Sequence, residues 1–331
     1  MMKKLLNHRA SRWVSLVCFS VAAFWTYKVV RVFCQQQTDG FTIQAISSNR
    51  PSNPAWDVHF LSDGEKAEIE QALSQRYHYL ACGNQAFAFL SEDGRYVIKF
   101  FKQKLFEPSF FLKWSPAIWM NPSRREKKLW KKQDKLQRDF ASYRLSFDEL
   151  KEETGLVYVH LNPSDWIRRN LIICDKLNIA HAIPLDRFNF ILQKRADLVF
   201  PTIDKLMAEG NLAGAKRALS SILELFVSRC QKGILDSDPD LDKNFGFIDG
   251  HAVQIDIGRF TRQPIKVKFA HCNQDRPASL SSMTPPVIKE TFKTWLTENY
   301  PSLFDHFMSE YDVLCQSNQF SSSASISLES R

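Results

Sequence analysis

Lys99 stands inside the apolar run YVIKFFK, where strand alternation sets it on the same side as Val97 and Phe101. An ammonium among such neighbours needs an anionic partner, unless it lies on a sheet edge or snorkels to water. Sixteen residues upstream, LACGNQAFAFL puts Gly83 in a turn between two strand-like pieces, the layout of a loop whose backbone N–H groups fold over phosphates. Downstream, VQIDIGRF ends a hydrophobic strand on Asp256, two residues before Gly258. A carboxylate there can reach a Mg²⁺ that bridges phosphate oxygens; a plain turn aspartate is the alternative. Asn244 lies twelve residues before Asp256, across an Asp249-Gly250 hairpin signal, and offers a second hard oxygen donor at the same hairpin end. Just ahead of it, DSDPDLDK supplies Asp236, Asp238, Asp240 and Asp242, from which a base for an acceptor hydroxyl could come. The same acids could equally form a solvated turn.

Recognisable elements surround these residues. Ser62 and Glu65 have the spacing of a capping box before a helix to about residue 75. Strands are expected over 77–81, 86–90 and 96–101, the last two joined by the Glu92-Asp93-Gly94 turn. A long helix is expected over 123–153, then strands over 156–161, 171–174 and 188–193. Leu212, Ala215, Leu219, Ile222, Phe226 and Cys230 recur at steps of three and four, the buried stripe of a helix that Gly233 stops. Short strands over 246–248 and 253–255 flank the Asp249-Gly250 turn. The remainder reads as helical, with Ile288, Phe292, Trp295 and Leu296 on one face, before a disordered tail over 316–331.

The strand lysine, the glycine turn, the asparagine-containing loop and the D-I-G triplet, in this order, resemble the protein kinase-like superfamily, which includes protein kinases and aminoglycoside and other small-molecule phosphotransferases. The resemblance covers roughly residues 76–310. It implies an α+β, bilobal protein kinase-like fold, with a β-rich N-lobe over 62–196 and a mainly helical C-lobe over 197–315. By this likeness Lys99 pairs nucleotide phosphates, Asp256 matches the metal-binding aspartate of D-F-G, and Asn244 matches the asparagine that holds a second Mg²⁺. FILQKRA falls where the family has its hinge, so backbone groups of Gln193 and Arg195 would meet adenine, with Gly83 over the phosphates. Three departures stand out. The H-R-D triplet is absent, and the position five residues before Asn244 is Pro239; Asp238 is the preferred base, with Asp236 and Asp240 as rivals. The helix carboxylate that pairs with the lysine has several candidates, Glu126, Asp139, Glu149 and Glu152, of which Asp139 is taken. No A-P-E motif follows Asp256, which tilts the acceptor towards a small molecule or lipid while leaving a protein open. The expected activity is ATP- and Mg²⁺-dependent phosphotransfer; a pseudokinase or nucleotide-binding scaffold is the alternative.

A chain of 331 residues, 44% hydrophobic and 13% aromatic, can bury a sizeable core, which excludes a wholly disordered protein. The seven cysteines are scattered and form no C-x-x-C pair, so they read as reduced packing residues rather than zinc ligands. The net charge of +8 is concentrated in RREKKLWKKQDKLQR (124–138), with eight basic and two acidic side chains. A solvated helix face and an anionic bilayer are its two main readings; nucleic-acid binding ranks last, since Trp130 is the only interleaved aromatic. Lys3, Lys4, Arg9 and Arg12 precede an apolar run from Trp13 to Tyr27 that continues through Val29, Val30, Val32 and Phe33. Residues 1–34 are therefore expected to form a single-pass membrane anchor, with an amphipathic or buried helix as the alternative, and 35–61 a linker.

Overall fold

In the computed structural model, residues 2–59, 61–109, 112, 121–236, 240–262 and 288–316 are described; of 2–12, 14–17, 315 and 316 only the backbone is. The chain is α+β, and its buried apolar residues form two main clusters, one in a β-rich half and one in a helical half. This is consistent with a bilobal kinase-like fold.

Helix α1 (Met2–Thr38) leads into α2 (Asp63–Ala72), whose start is the expected capping box: Ser62 accepts from the Glu65 N–H, and Glu65 accepts from the Ser62 N–H at 2.8 Å. Strands β1 (Tyr77–Cys82), β2 (Ala86–Ser91) and β3 (Tyr96–Phe101) form an antiparallel meander. Helix α3 (Pro122–Glu149) follows, then β4 (Leu156–His160), β5 (Asn170–Cys174), β6 (Ala180–Pro184) and β7 (Phe190–Lys194). These seven strands make one sheet in the order β4-β7-β3-β2-β1-β5-β6, in which only β1 and β5 pair in parallel. β3 is buried on both faces, which its aromatic and β-branched residues favour. Phe100 meets Phe89, Phe188 and Phe190 on one face, while Phe101 meets Phe140 and Tyr143 of α3 on the other. Each such fully buried ring contributes roughly 1.5–3 kcal/mol.

A two-residue strand, β8 (Asp197–Leu198), carries the chain into the second cluster, where α4 (Val199–Ala208) and α5 (Leu212–Gln231) pack with α6 (Glu290–Asn299) and α7 (Pro301–Gln316). Residues Ala215, Leu219, Ile222, Phe226 and Cys230 of the expected α5 stripe are buried. β9 (Ile234–Asp236) pairs with β12 (Phe260–Arg262), and β10 (Phe245–Ile248) forms a hairpin with β11 (His251–Gln254). At the tip Asp249 and Gly250 both have positive φ, 50° and 83°, as a tight two-residue hairpin turn requires.

Several expectations need correction. The helix expected over 123–153 ends at Glu149, where Leu150 leaves helical geometry before a short turn, Lys151–Thr154, and Gly155 at φ 62°. Residues 35–61 are no linker: Phe41, Ile46, Trp56 and Leu61 are buried in the first cluster despite their polar neighbours. Among the described residues no helix is long and apolar enough to cross a membrane, so the single-pass anchor is not found there. The tail expectation over 317–331 lies outside the described residues, as does most of the stretch after Asp256 where A-P-E was sought.

Candidate active site

Lys99 lies on the face of β3 that meets α3. Its Nζ donates to the backbone carbonyl of Ile255 at 2.6 Å, next in sequence to Asp256. Burial pushes its ammonium down to about 8, and the Asp256 carboxylate partly opposes that shift. Lys99 and Asp256 thus share one local field, although 156 residues separate the lysine from its carbonyl partner.

The β10–β11 hairpin brings Asn244 to the same place. Its backbone carbonyl accepts from the N–H of Ile255 at 2.7 Å and of Asp256 at 3.5 Å, so the two candidate metal-binding residues flank the open end of the hairpin. Asn244 is almost fully buried, whereas Asp256 is exposed, with one carboxylate oxygen 3.4 Å from the Gly258 N–H. An exposed carboxylate beside an amide suits Mg²⁺, which takes one or two protein ligands and completes its shell with phosphates and water. Among the described residues no group of three His, Cys, Asp or Glu could hold a metal without such help.

The segment after Asp256 is clamped onto α3. Ser142 donates to the Ile257 carbonyl at 2.5 Å and accepts from the Phe260 N–H at 2.7 Å, and all three residues are buried. Gly258 is enclosed by Gln85 and Tyr143: an added Cβ would lie 2.8 Å from both the Gln85 Oε1 and the Tyr143 hydroxyl. These two are hydrogen bonded to each other at 3.0 Å, so the β1–β2 turn, α3 and the D-I-G triplet meet at one point. Burial, with the Asp256 charge second, holds the Tyr143 hydroxyl neutral by raising its pKa well above the usual value.

Beneath the hairpin lies a buried ion pair. Arg229 of α5 donates to Gln254 Oε1 and lies 3.9 Å from the Asp236 carboxylate, with both side chains about 97% buried or more. Gln254 Nε2 in turn donates to Asp236 at 2.5 Å and to the Asp256 carbonyl at 3.1 Å. Asp236, a rival for the base, is therefore a structural carboxylate. Asp240, the other rival, pairs with Lys289 at 2.9 Å, and its pKa is lowered by that hydrogen bond against the opposing cost of burial. Asp238 lies outside the described residues.

Other expected contacts differ. Asp139 does not pair with Lys99: its carboxylate takes Lys135, one helical turn away, at 2.6 Å, and burial raises its pKa despite that partner. The i,i+4 lysine wins because it needs no tertiary closure. The backbone of Gln193 and the Arg195 N–H, expected to face adenine, are paired within the sheet. Gln193 sits mid-sheet opposite both Val97 and Leu156, and the Arg195 N–H donates to the Arg95 carbonyl at 2.8 Å. The Gln193 side chain shares the Lys99 face, where its Nε2 binds the Thr154 carbonyl at 2.9 Å and its buried Oε1 has no partner among the described residues. Gly83 heads a three-residue turn whose N–H is closed onto the Ala86 carbonyl at 3.0 Å and whose carbonyl accepts from Lys102 at 2.5 Å. A short turn of this kind leaves fewer donors for phosphate than a long glycine-rich loop.

Sequence reasoning missed Ser142, Tyr143 and Gln85 as site-builders, and Arg229 with Gln254 as their support. Arg229 carried one readable sign, a lone cation beside the buried position Cys230 of an apolar stripe.

No family model and no curated protein matches the chain. Among solved structures it is similar to a medium-resolution structure of the bifunctional kinase-methyltransferase WbdD, at 12% identity and a TM-score of 0.28, covering 54% of this chain and 31% of that one. A co-crystal structure of WbdD with the kinase inhibitor LY294002 matches at 12% identity and 0.28, over 71% and 45%. The complex of Rv3197 with erythromycin from Mycobacterium tuberculosis matches at 15% identity and 0.31, over 78% and 61%. The chain thus spans between about a third and three fifths of these neighbours' lengths. Superpositions this loose carry no argument about activity.

Proposed function

We propose that this protein is a membrane-associated, kinase-like phosphotransferase that uses ATP and Mg²⁺. The observation that carries the reading is the convergence of Lys99, Asn244 and Asp256 on one hairpin end, through the 2.6 Å contact of Lys99 with Ile255 and the backbone bond from Ile255 to Asn244. In this reading the Lys99 ammonium, drawn from the Ile255 carbonyl, meets the α- and β-phosphates of ATP. Asp256 and Asn244 hold Mg²⁺, which neutralises charge developing on the transferred group. Asp238 orients or deprotonates the acceptor hydroxyl, on a small molecule, lipid or protein. The membrane part rests on α1, along which Trp13, Phe19, Phe24, Trp25 and Phe33 are all more than half exposed. The test is ATP turnover by the purified full chain, with a thermal shift by ATP that requires Mg²⁺. Absence of both effects in wild type would sink the reading.

A second reading, a pseudokinase or scaffold, is favoured by the closed contacts of Lys99, of the Asp139–Lys135 pair and of the Arg195 N–H. It expects nucleotide to bind, if at all, without phosphate transfer. Turnover lost in Lys99→Met and Asp256→Ala but present in wild type would exclude it.

A further inference from the structure

The first half of α3 carries an excess of cations. Arg124, Lys127, Lys128 and Lys131 follow the spacing i, i+3, i+4, i+7 and so share one face; all four are exposed. The other cations of the helix are engaged. Lys132 donates to the carbonyls of Lys104 and Leu105, Arg125 to that of Leu112, Lys135 to Asp139, and Arg138 pairs with Asp134. Among the described residues none of the four stripe cations meets a carboxylate. Trp130, one turn from Lys127, is 63% exposed.

The basic helix and α1 are both fastened to the sheet. The end of α1 is fastened there by Asp39, which accepts from Tyr79 at 2.6 Å and from Lys176 at 2.9 Å, and whose carbonyl lies 3.6 Å from the Cys82 sulfur. Cys82 is 2.9 Å from the Nζ of Lys102, two residues before Lys104, the residue to which Lys132 of α3 is bound. Contacts therefore run without a break from the root of an exposed apolar helix to the basic helix.

We infer that the Arg124–Lys131 stripe is a docking surface for anionic lipid, with the bilayer as its occupant. An acidic protein would complement the cations but not the exposed apolar helix joined to the same sheet; a bilayer with anionic headgroups complements both. The exposed indole of Trp130 belongs at the headgroup level, where such rings collect. The inference rests on the membrane-associated half of the proposed function and needs no phosphate transfer, so a chain without ATP turnover still tests it.

The experiment is flotation of the full chain with vesicles of phosphatidylcholine alone or with about 30 mol% phosphatidylserine added. Wild type should bind the anionic vesicles more tightly, and the gain should shrink as salt shortens the screening length. The triple variant K127Q/K128Q/K131Q should lose roughly a hundredfold of that gain, at about 1 kcal/mol for each cation near the surface. Binding of both proteins to neutral vesicles reports α1 alone and should be equal. All three side chains are exposed, so the variant should unfold at the wild-type temperature. Equal wild-type affinity for both vesicle types, or a gain unchanged in the variant, would overturn the inference and leave the stripe to solvent or to an acidic protein.

Discussion

Lys99→Met should make this protein more stable at neutral pH. Burial carries the Lys99 ammonium from its ordinary 10.5 to about 8, a penalty of about 3 kcal/mol for folding with the charge in place. Methionine has nearly the same length and no charge, so it removes the penalty. It also removes the bond to the Ile255 carbonyl, which gives back about 1–2 kcal/mol. The net expectation is a gain of about 1–2 kcal/mol at pH 7. The pH dependence has a definite sign. Below about 8 the lysine is charged in both states and the penalty is whole; between about 8 and 10.5 the folded protein has released the proton while the unfolded chain keeps it. The unfolded state then binds more protons, so wild-type stability rises with pH across this window, and the advantage of the variant fades. Tyr77 and Tyr79, both raised chiefly by burial, act oppositely near pH 10 but cancel in the difference between the two proteins. Urea unfolding of both proteins at pH 7, 8, 9 and 10 reads the effect. A variant less stable than wild type at pH 7, or a difference that does not change with pH, would refute the reasoning. Phosphotransfer, if present in wild type, should vanish in the same variant, making Lys99 a residue kept at the expense of stability.

Two further outcomes probe the supports of the site. Arg229→Met should destabilise the protein by about 3–5 kcal/mol by leaving Asp236 buried without its cation, and Arg229→Met with Asp236→Asn should recover most of the loss. At 3.9 Å and an effective dielectric constant near 20 the attraction is about 4 kcal/mol, and a urea midpoint within error of wild type for the single variant would contradict this. Gly246→Ala should cost about 1–3 kcal/mol, because the new Cβ would lie 2.6 Å from the Asp197 carbonyl oxygen and 3.0 Å from the Ala196 Cβ. The first is backbone of β8, the strand that links the two clusters, and the second is a Cβ fixed to the residue just before it, so neither can swing aside as a side-chain tip would. An unchanged melting temperature would mean that the strand yields.

What could be read in the chain was local. Alternation and turn residues located β1, β2, β3 and the β10–β11 hairpin, and Ser62 with Glu65 located the start of α2, because those signals lie within a few residues of what they specify. That Lys99 and Asp256 share one site was an expectation of the family resemblance, not of any local pattern. Partner choice was not legible, since it is decided between residues far apart in sequence. Asp139 and Asp236 look alike in sequence, yet one closes on a lysine a turn away and the other on Arg229 in a different element. The β9–β12 ribbon has three residues in each strand, too few for a pattern. β6 contains Pro184 and has only Ile183 buried, so it gives little alternation to detect. Residues 35–61 were misread because their four buried apolar side chains are spread among polar ones.

The first apolar cluster does not end where the first half of the sequence ends. It contains Ile234, Ile257 and Phe260, contributed after the chain has already crossed into the helical half at Asp197–Leu198. The polypeptide is stitched through its own halves, out once and back again, so neither can be cut free as a self-sufficient piece. A fragment stopping at the crossover would lack three buried side chains and the strand partner of β8, leaving the first cluster open where Ile234, Ile257 and Phe260 close it. Inheritance and recombination that shuffle whole domains would have to treat this chain as a single unit.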